Sequence, residues 1–253
     1  MTERTLLARI YQHSQVNQIE KKLQHLIEGL DVALKVIGEP TNGWMKIDIS
    51  GEDEAVALNL VAKEIGFCPT SLDSVQKFST LKGYISNLKD SEELTVDVGV
   101  FEPNTFYATL KPRDLQAQLA DGKRLALKEI SELFGLCEDL PIIIKVTNLN
   151  EKGKRIEAEL ATAQVEKYWL WRESLLDRLI IIGASLNEVR ESLNYLGLTR
   201  DVVSIEALGM FEHAAACKLG TDAAGLIGLV GRELRNVRLA VFNPRKIRQV
   251  MEP

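Results

Sequence analysis

The sequence predicts an α+β protein built from three small modules, the middle one a β-barrel. With 253 residues, of which 45% are apolar, the chain is long enough to bury two or three separate cores. Helix-like and strand-like patterns alternate near both ends, whereas the middle of the chain is rich in strand-like runs. The expected modules span residues 1–75, 76–161 and 162–253.

The N-terminal module, residues 1–75, shows the order β-α-β-β-α. After a first strand-like run, apolar residues at three- and four-residue spacing predict a helix over 16–30. A turn at 40–43 joins the next two strands, and Ser50 with Asp53 resembles a capping box for a second helix. This order predicts a ferredoxin-like unit.

The middle module, residues 76–161, has a different pattern. Three strand-like runs are followed by two short helical segments, at 112–119 and 127–134, and then by two more strands. Three strands, a helix and two strands is the order of an OB-type β-barrel. We therefore expect a closed or nearly closed barrel with a helical insertion.

The C-terminal module begins with an amphipathic helix over 162–176, which we expect to pack between modules with Tyr168 and Trp169 on its buried side. A complete β-α-β-β-α-β series follows. Ser185 and Glu188 have the spacing of a capping box at its first helix. The series predicts a second ferredoxin-like unit.

Composition and charge point to a cytosolic protein without a membrane span. No run of about eighteen uncharged apolar residues occurs, and the three cysteines are widely spaced and form no CxxC pair. The formal net charge is −5, which argues against coating of nucleic acid by bulk electrostatics. Only the C-terminal module carries a positive balance.

Four short segments of the middle module resemble the S-one type of RNA-binding domain, which occurs as repeats in the largest bacterial small-subunit ribosomal protein. These segments are KGYI at 82–85, LTVDVG at 94–99, IKV at 144–146 and the charged hairpin at 150–155. The resemblance covers about a third of the chain. It implies a barrel that contacts RNA.

Three other segments resemble an uncharacterised archaeal family called domain of unknown function 2110. They are CKLGTDAAG at 217–225, ELFGL followed closely by LPI at 132–142, and VFNPRKI at 241–247. This resemblance extends over nearly the whole chain. It implies an archaeal cytosolic protein and supplies no catalytic residues.

Aromatic and basic residues of the barrel supply candidate RNA contacts, because OB folds stack bases on rings while basic side chains follow the phosphates. Half or more of the rings Phe78, Tyr84, Phe101, Phe106 and Tyr107 are expected to fill the core. We expect Tyr84 and Tyr107 to be exposed, with Phe106 on the opposite face. The basic candidates of the barrel are Lys82, Lys145, Lys154 and Arg155, and the basic C-terminal unit adds Arg245, Lys246 and Arg248.

The strand-helix junction at 218–225 is a candidate anion site, since helix N-termini present free amides and Lys218 adds a positive charge. The candidate residues are Lys218, Gly220, Thr221 and Asp222. In the alternative interpretation, Thr221 or Asp222 caps the helix and satisfies these amides. We favour the capped helix.

The function predicted from these features is that of a non-enzymatic, RNA-associated protein linked to the ribosome or to RNA metabolism. No sequence motif for catalysis, a metal or a cofactor occurs, so we expect none. Two alternatives remain: a sensor or enzyme for a phosphorylated ligand at 218–225, and a protein-interaction adaptor that docks through its acidic N-terminal module. The sequence does not indicate the oligomeric state.

Overall fold

A computed structural model describes residues 2–37, 43–88, 92–150 and 155–251. Lys154 and most of the turn expected at 40–43 lie outside these residues. The architecture is α+β, with a closed five-stranded mixed barrel in the centre and sheets with helices on either side. No helix in the described ranges is both long and apolar enough to cross a membrane.

The N-terminal module contains a three-stranded antiparallel sheet with two helices. Its elements are β1 (Thr2–Arg9), α1 (Ser14–Leu26), β2 (Val32–Val36), β3 (Trp44–Gly51) and α2 (Glu54–Glu64). The sheet order is β1-β3-β2. After α2 the chain returns beside β1, where Leu6 and Phe67 form a single antiparallel bridge. This segment takes the place of a fourth strand and completes the expected ferredoxin-like order.

The capping box expected at the start of α2 was wrong. Ser50 is held in β3, where it pairs with Ala33 of β2. Asp53 precedes the helix, but its carboxylate accepts a hydrogen bond from the Asp31 N–H at 2.9 Å and none from the amides of α2. The spacing of Ser50 and Asp53 fits a capping box, but β3 extends through Gly51, so Ser50 is part of the sheet and does not cap α2.

The central module forms the barrel. Its elements are β5 (Thr80–Asn87), β6 (Leu94–Glu102), β7 (Phe106–Leu110), α3 (Pro112–Leu119), α4 (Leu127–Phe134), β8 (Pro141–Asn150) and β9 (Arg155–Leu160). The two-residue strand β4 (Thr70–Ser71), which precedes this module, pairs in parallel with β6. Strand β5 pairs with β6 and β8, β7 pairs with β6 and β9, and β8 with β9 closes the ring. The predicted OB-type barrel and both inserted helices are confirmed.

The C-terminal module contains a four-stranded antiparallel sheet. Its elements are α5 (Thr162–Glu173), β10 (Arg178–Ile182), α6 (Leu186–Tyr195), β11 (Val202–Ala207), β12 (Glu212–Cys217), α7 (Ala223–Glu233), β13 (Arg238–Phe242) and α8 (Pro244–Met251). The order β11-β12-β10-β13 is the complete ferredoxin-like arrangement. Ser185 and Glu188 form the predicted capping box at α6.

The two central strands of the C-terminal sheet, β10 and β12, are buried on both faces. One face packs against α6 and α7 through Leu179, Ile181, Ala215 and Cys217. The opposite face joins the core of the barrel and its helices through Ile180, Ile182, Ala214 and Phe242. The edge strand β11 is less covered, and Val203 on this strand is 61% exposed.

Helix α5 connects the two modules, but its buried side differs from the prediction. Tyr168 and Trp171 are buried and their rings pack with Phe242, whereas Trp169 is 55% exposed. The buried stripe includes the polar Gln164, whose side-chain oxygen accepts from the Ile143 N–H at 3.1 Å. Apolar spacing alone missed this polar member of the stripe.

Candidate nucleic-acid interface

Tyr84 lies on the outside of the barrel, but its ring is 0% exposed. Its neighbour Ile85 points into the barrel core, whereas Tyr84 packs edge-on against Trp44 of β3 with 5.4 Å between ring centroids. The expected exposure of Tyr84 was therefore wrong. Alternation placed the ring on the correct face of β5, and the N-terminal module covers that face.

Lys82 is also held between modules rather than on a free surface. Its ammonium group donates a hydrogen bond to the Leu208 carbonyl at 2.8 Å, in the loop between β11 and β12. Burial lowers the pKa of Lys82, and the nearby Glu212 carboxylate partly opposes this shift. Lys82 thus joins the barrel to the C-terminal module and does not present its charge to an RNA strand.

Tyr107, the second residue of β7, is 40% exposed, while its neighbour Phe106 fills the barrel core. The alternation of these two residues agrees with the sequence. In register, Tyr107 lies beside Arg155 of β9, whose side chain is exposed. We call the exposed outer surface of β7, β9 and β8 the outer barrel face.

Cations on the outer barrel face pair with carboxylates. The pairs join Lys145 to Glu159 at 3.1 Å, Lys111 to Glu157 at 3.9 Å and Arg155 to Glu93 at 3.3 Å. Exposed pairs of this kind contribute only about 0–1 kcal/mol each, so phosphate oxygens can replace the carboxylates with little loss of stability. The surface is balanced in charge, not strongly basic.

Phe78 is an exposed ring that the sequence prediction did not select. The side chain is 64% exposed just before β5, and the Lys77 ammonium lies 5.2 Å from the ring centroid. The backbone of Phe78 has a φ of 69°. Phe78 lies in a turn at 77–78 ahead of β5, and the sequence does not reveal this turn or the positive φ of Phe78.

The basic residues near the C-terminus lie on a helix that is packed onto the protein. Pro244, Ile247 and Met251 of α8 are buried in the central core. The Lys123 ammonium donates to the carbonyls of Val250 and Met251 at 2.8 and 2.7 Å and so caps the helix end. On this docked helix the candidates Arg245 and Lys246 are exposed, and Arg248 is half-buried.

The first amides of α7 are satisfied by carboxylates. The Asp222 side chain accepts from the Ala224 N–H at 3.0 Å, and the Asp177 side chain accepts from the Ala223 N–H at 3.3 Å. Burial raises the pKa of Asp177, with a smaller opposing effect from the Ala223 N–H. The helix is capped, as the favoured interpretation held.

Thr221 of the 218–225 junction also has hydrogen-bond partners within the protein. The Thr221 N–H donates to the Lys218 carbonyl at 2.9 Å, and the Thr221 hydroxyl lies 3.5 Å from an Asp201 carboxylate oxygen. Carboxylates therefore surround this helix start, and the candidates Lys218, Gly220, Thr221 and Asp222 form no open anion site. The alternative of a phosphorylated ligand loses its structural basis here.

A buried polar network joins all three modules, and no sequence pattern predicts it. Arg9 of β1 lies 3.5 Å from Asp97 of the barrel and 3.6 Å from Asp139. The Tyr11 hydroxyl donates to Glu212 of β12 at 2.6 Å. These contacts link the N-terminal module to the barrel and to the C-terminal sheet, and so help to fix the positions of the three modules relative to one another.

Three solved structures show local similarity to this chain. An uncharacterized protein from Methanocaldococcus jannaschii is 15% identical, over 35% of this chain and 95% of its own, with a TM-score of 0.25. An a/eIF2alpha-aDim2p-rRNA complex from Pyrococcus horikoshii OT3 is 14% identical over 51% and 70%, with a TM-score of 0.27. Scores at this level carry no argument about function.

A multidomain protein with nucleic acid binding domains from Streptococcus pneumoniae is 6% identical, over 86% of this chain and 51% of that one, with a TM-score of 0.24. No curated protein gives a significant match. Family models match in chain order: the DUF2110 N-terminal domain at residues 4–71, the central domain at 75–172 and the C-terminal domain at 176–242. Together they span most of the sequence, and the chain belongs to the DUF2110 family.

Proposed function

We propose that this protein is a non-enzymatic, RNA-associated protein that holds a single-stranded segment on its outer barrel face. The observation that carries the proposal is the exposure of Tyr107, the second residue of β7, whose side chain is 40% exposed on the outside of the barrel. Arg155, Lys145 and Lys111 lie on the same face and can exchange their carboxylate partners for phosphate.

Base stacking is the main source of affinity in this proposal. An aromatic ring stacks on any base, at about 1–3 kcal/mol per base, whereas the paired charges of the outer barrel face give a weak net field. The net charge of −5 likewise indicates that electrostatic attraction contributes less to RNA affinity than base stacking does. Binding is therefore expected to depend less steeply on salt than it does for strongly basic proteins.

We expect Tyr107→Ala to weaken binding of a fluorescent single-stranded RNA of about twelve nucleotides by ~1–3 kcal/mol, measured by anisotropy. The thermal midpoint should change little, because the ring is largely outside the core. Tyr195→Ala is the matched control, since that ring is 79% exposed on α6, away from the barrel. Equal affinities for the wild type and both variants would remove Tyr107 from the interface.

We propose that Arg245 and Lys246 add phosphate contacts from α8. The double variant Arg245→Ala/Lys246→Ala should reduce the slope of log K against log salt by about 0.7 for each phosphate that is no longer neutralised. Stability should be retained, since both side chains are exposed. A control that removes two exposed cations of α1, Lys21→Ala/Lys22→Ala, should keep the wild-type slope; a slope that falls equally in both variants would indicate nonspecific charge.

Absence of RNA binding by the wild type would favour the adaptor alternative. In that case the acidic N-terminal module is the surface to test next for a protein partner. Sequencing of nucleic acid that copurifies at low salt, compared with the same preparation after a high-salt wash, gives the first decision between these two functions.

A further inference from the structure

A small polar cavity lies where the three modules meet. Its volume is about 300 Å³. Leu7 and Lys22 of the N-terminal module, Lys82 of the barrel, and Leu208 and Gly209 of the loop between β11 and β12 all line it. Cavities that bind small molecules are often found between domains and combine apolar walls with a few polar groups. We call this space the junction cavity.

Lys82 is the half-buried cation of the junction cavity. Its ammonium group donates to the Leu208 carbonyl at 2.8 Å, and both residues belong to the cavity wall. In the part of the chain that the structure describes, no carboxylate forms an ion pair with this ammonium. An ammonium group has three N–H donors, so two remain for a ligand. An anion in the cavity would supply the counter-ion that Lys82 lacks.

The charges around Lys82 oppose one another. Burial lowers the pKa of Lys82, the Glu212 carboxylate acts against this shift, and the Lys167 ammonium adds to it. Glu212 attracts Lys82 without forming an ion pair with it, and its hydrogen bond from Tyr11 directs one of its oxygens to another partner. A bound anion would therefore favour the charged form of Lys82 in a way that no contacting carboxylate of the protein does.

The loop that forms one wall of the junction cavity is held in place before any ligand binds. The N–H groups of Leu208 and Gly209 both donate to the Glu212 carbonyl, at 2.8 and 3.1 Å. A Cβ atom at Gly209 would overlap the Glu212 carboxylate, so only glycine fits at this position. These contacts fix the Leu208 carbonyl and with it the Lys82 ammonium. Such preorganisation lowers the entropy lost on binding.

Two oppositely charged side chains lie on the solvent side of the junction cavity. Lys22 of α1 and Glu64 of α2 both line it and are exposed. Neither takes part in an ion pair within the described ranges. With Lys82, the lining contains two cations and one carboxylate, although the whole chain has a net charge of −5. This local positive balance favours an anion of low charge.

We propose that the junction cavity binds a small molecule through a carboxylate or phosphate group, which Lys82 holds at the inner wall and Lys22 on the solvent side. Its volume admits roughly ten non-hydrogen atoms, if each takes about the 30 Å³ of a liquid water molecule. A polymer strand is too large, so the ligand differs from the proposed RNA and the inference does not rest on RNA binding. Because the ligand would contact all three modules, its binding should stabilise their docked arrangement.

Titration of the isotope-labelled full chain with sodium phosphate, and separately with sodium acetate, tests the proposal by NMR. We expect saturable shifts of the Gly209 and Met210 amide resonances, with a dissociation constant of roughly 1 mM for probes this small. The probe that binds more tightly identifies the preferred anionic group. Sodium chloride at matched ionic strength should give no saturable shift. Absence of saturable shifts with both phosphate and acetate would overturn the inference.

Charge-removing variants locate the binding. Lys82→Met keeps the length of the side chain but removes its charge, and should weaken binding at least about tenfold. Lys22→Ala should weaken it about two- to fivefold. Lys21→Ala is the matched control, because Lys21 is exposed on the same helix but does not line the cavity. It should bind as the wild type does.

Unchanged affinity of Lys82→Met would place the anion elsewhere and overturn the inference. If Lys82→Met does not fold, the comparison of Lys22→Ala with Lys21→Ala decides, since both replace exposed side chains. Indistinguishable dissociation constants for these two variants would then count against the junction cavity as the site.

Discussion

Tyr84→Ala is expected to destabilise the protein by about 3–5 kcal/mol, the usual loss when a large buried aromatic side chain is removed. The ring is completely buried between the barrel and the N-terminal module, where it meets the edge of Trp44. The Arg9 guanidinium lies 5.7 Å from its centroid. Truncation therefore leaves a cavity where the two modules meet and removes a cation–π partner.

Urea unfolding followed by tryptophan fluorescence measures this loss, because Trp44 packs directly against the Tyr84 ring. Tyr84→Phe is the conservative control and should retain most of the stability, since the Tyr84 hydroxyl is 3.5 Å from its acceptor, the Leu7 carbonyl. RNA affinity of the folded Tyr84→Ala protein should match the wild type. A stable variant with weakened RNA binding would show that Tyr84 is accessible to bases after all.

The contrast between Tyr84 and Tyr107 shows what alternation along a strand can predict. For both residues the pattern placed the ring on the outside of the barrel, and both rings lie there. Whether that outside surface is covered depends on the docking of another module, which no local pattern contains. Strand order, the two inserted helices and the α6 capping box follow from local signals and were predicted correctly.

The α7 junction shows the same limit at shorter range. Capping by Asp222 involves an amide two residues away, so the residue type and position were enough to favour it. The second carboxylate at this helix start comes from Asp177, 46 residues earlier in the chain. The sequence predicted a capped helix without predicting how thoroughly carboxylates exclude an anion.

Long-range polar contacts were beyond prediction for a related reason. The Tyr11 hydroxyl and Glu212 are 201 residues apart, and Arg9 and Asp97 are 88 apart. Charged residues at such separations have no periodic relation. These residues meet only because the three modules dock. Without such polar partners an ionised Glu212 would be unfavourable, because its side chain is fully buried.

Glu212 should make the stability of the docked modules depend on pH. Burial raises the pKa of its carboxyl group from 4.5 to about 7, while the hydrogen bond from Tyr11 and the charge of Lys82 act in the opposite direction. Other groups that face it are Asp139 and the Phe211 N–H. Because the folded pKa lies above the unfolded one, the native state binds more protons between these two values.

The sign of the effect follows from this difference. Stability due to Glu212 is complete below about pH 4.5 and is lost as pH rises through about 7, which amounts to ~3 kcal/mol when the carboxylate is ionised. Glu212→Gln stays neutral and keeps an oxygen that accepts from Tyr11. We therefore expect the variant to exceed the wild type in stability at pH 8 by up to ~3 kcal/mol, with a much smaller difference at pH 5.

Urea unfolding of both proteins at intervals between pH 5 and 8 tests this expectation, with Glu132→Gln as the control for loss of an exposed carboxylate on α4. The control should follow the wild-type curve in parallel. A difference between Glu212→Gln and the wild type that stays constant from pH 5 to 8 would mean that Glu212 keeps an ordinary pKa. In that case the Glu212 carboxylate is ionised over the whole pH range while it accepts the hydrogen bond from Tyr11. The stabilisation of its negative charge by Lys82 must then outweigh the cost of burying that charge.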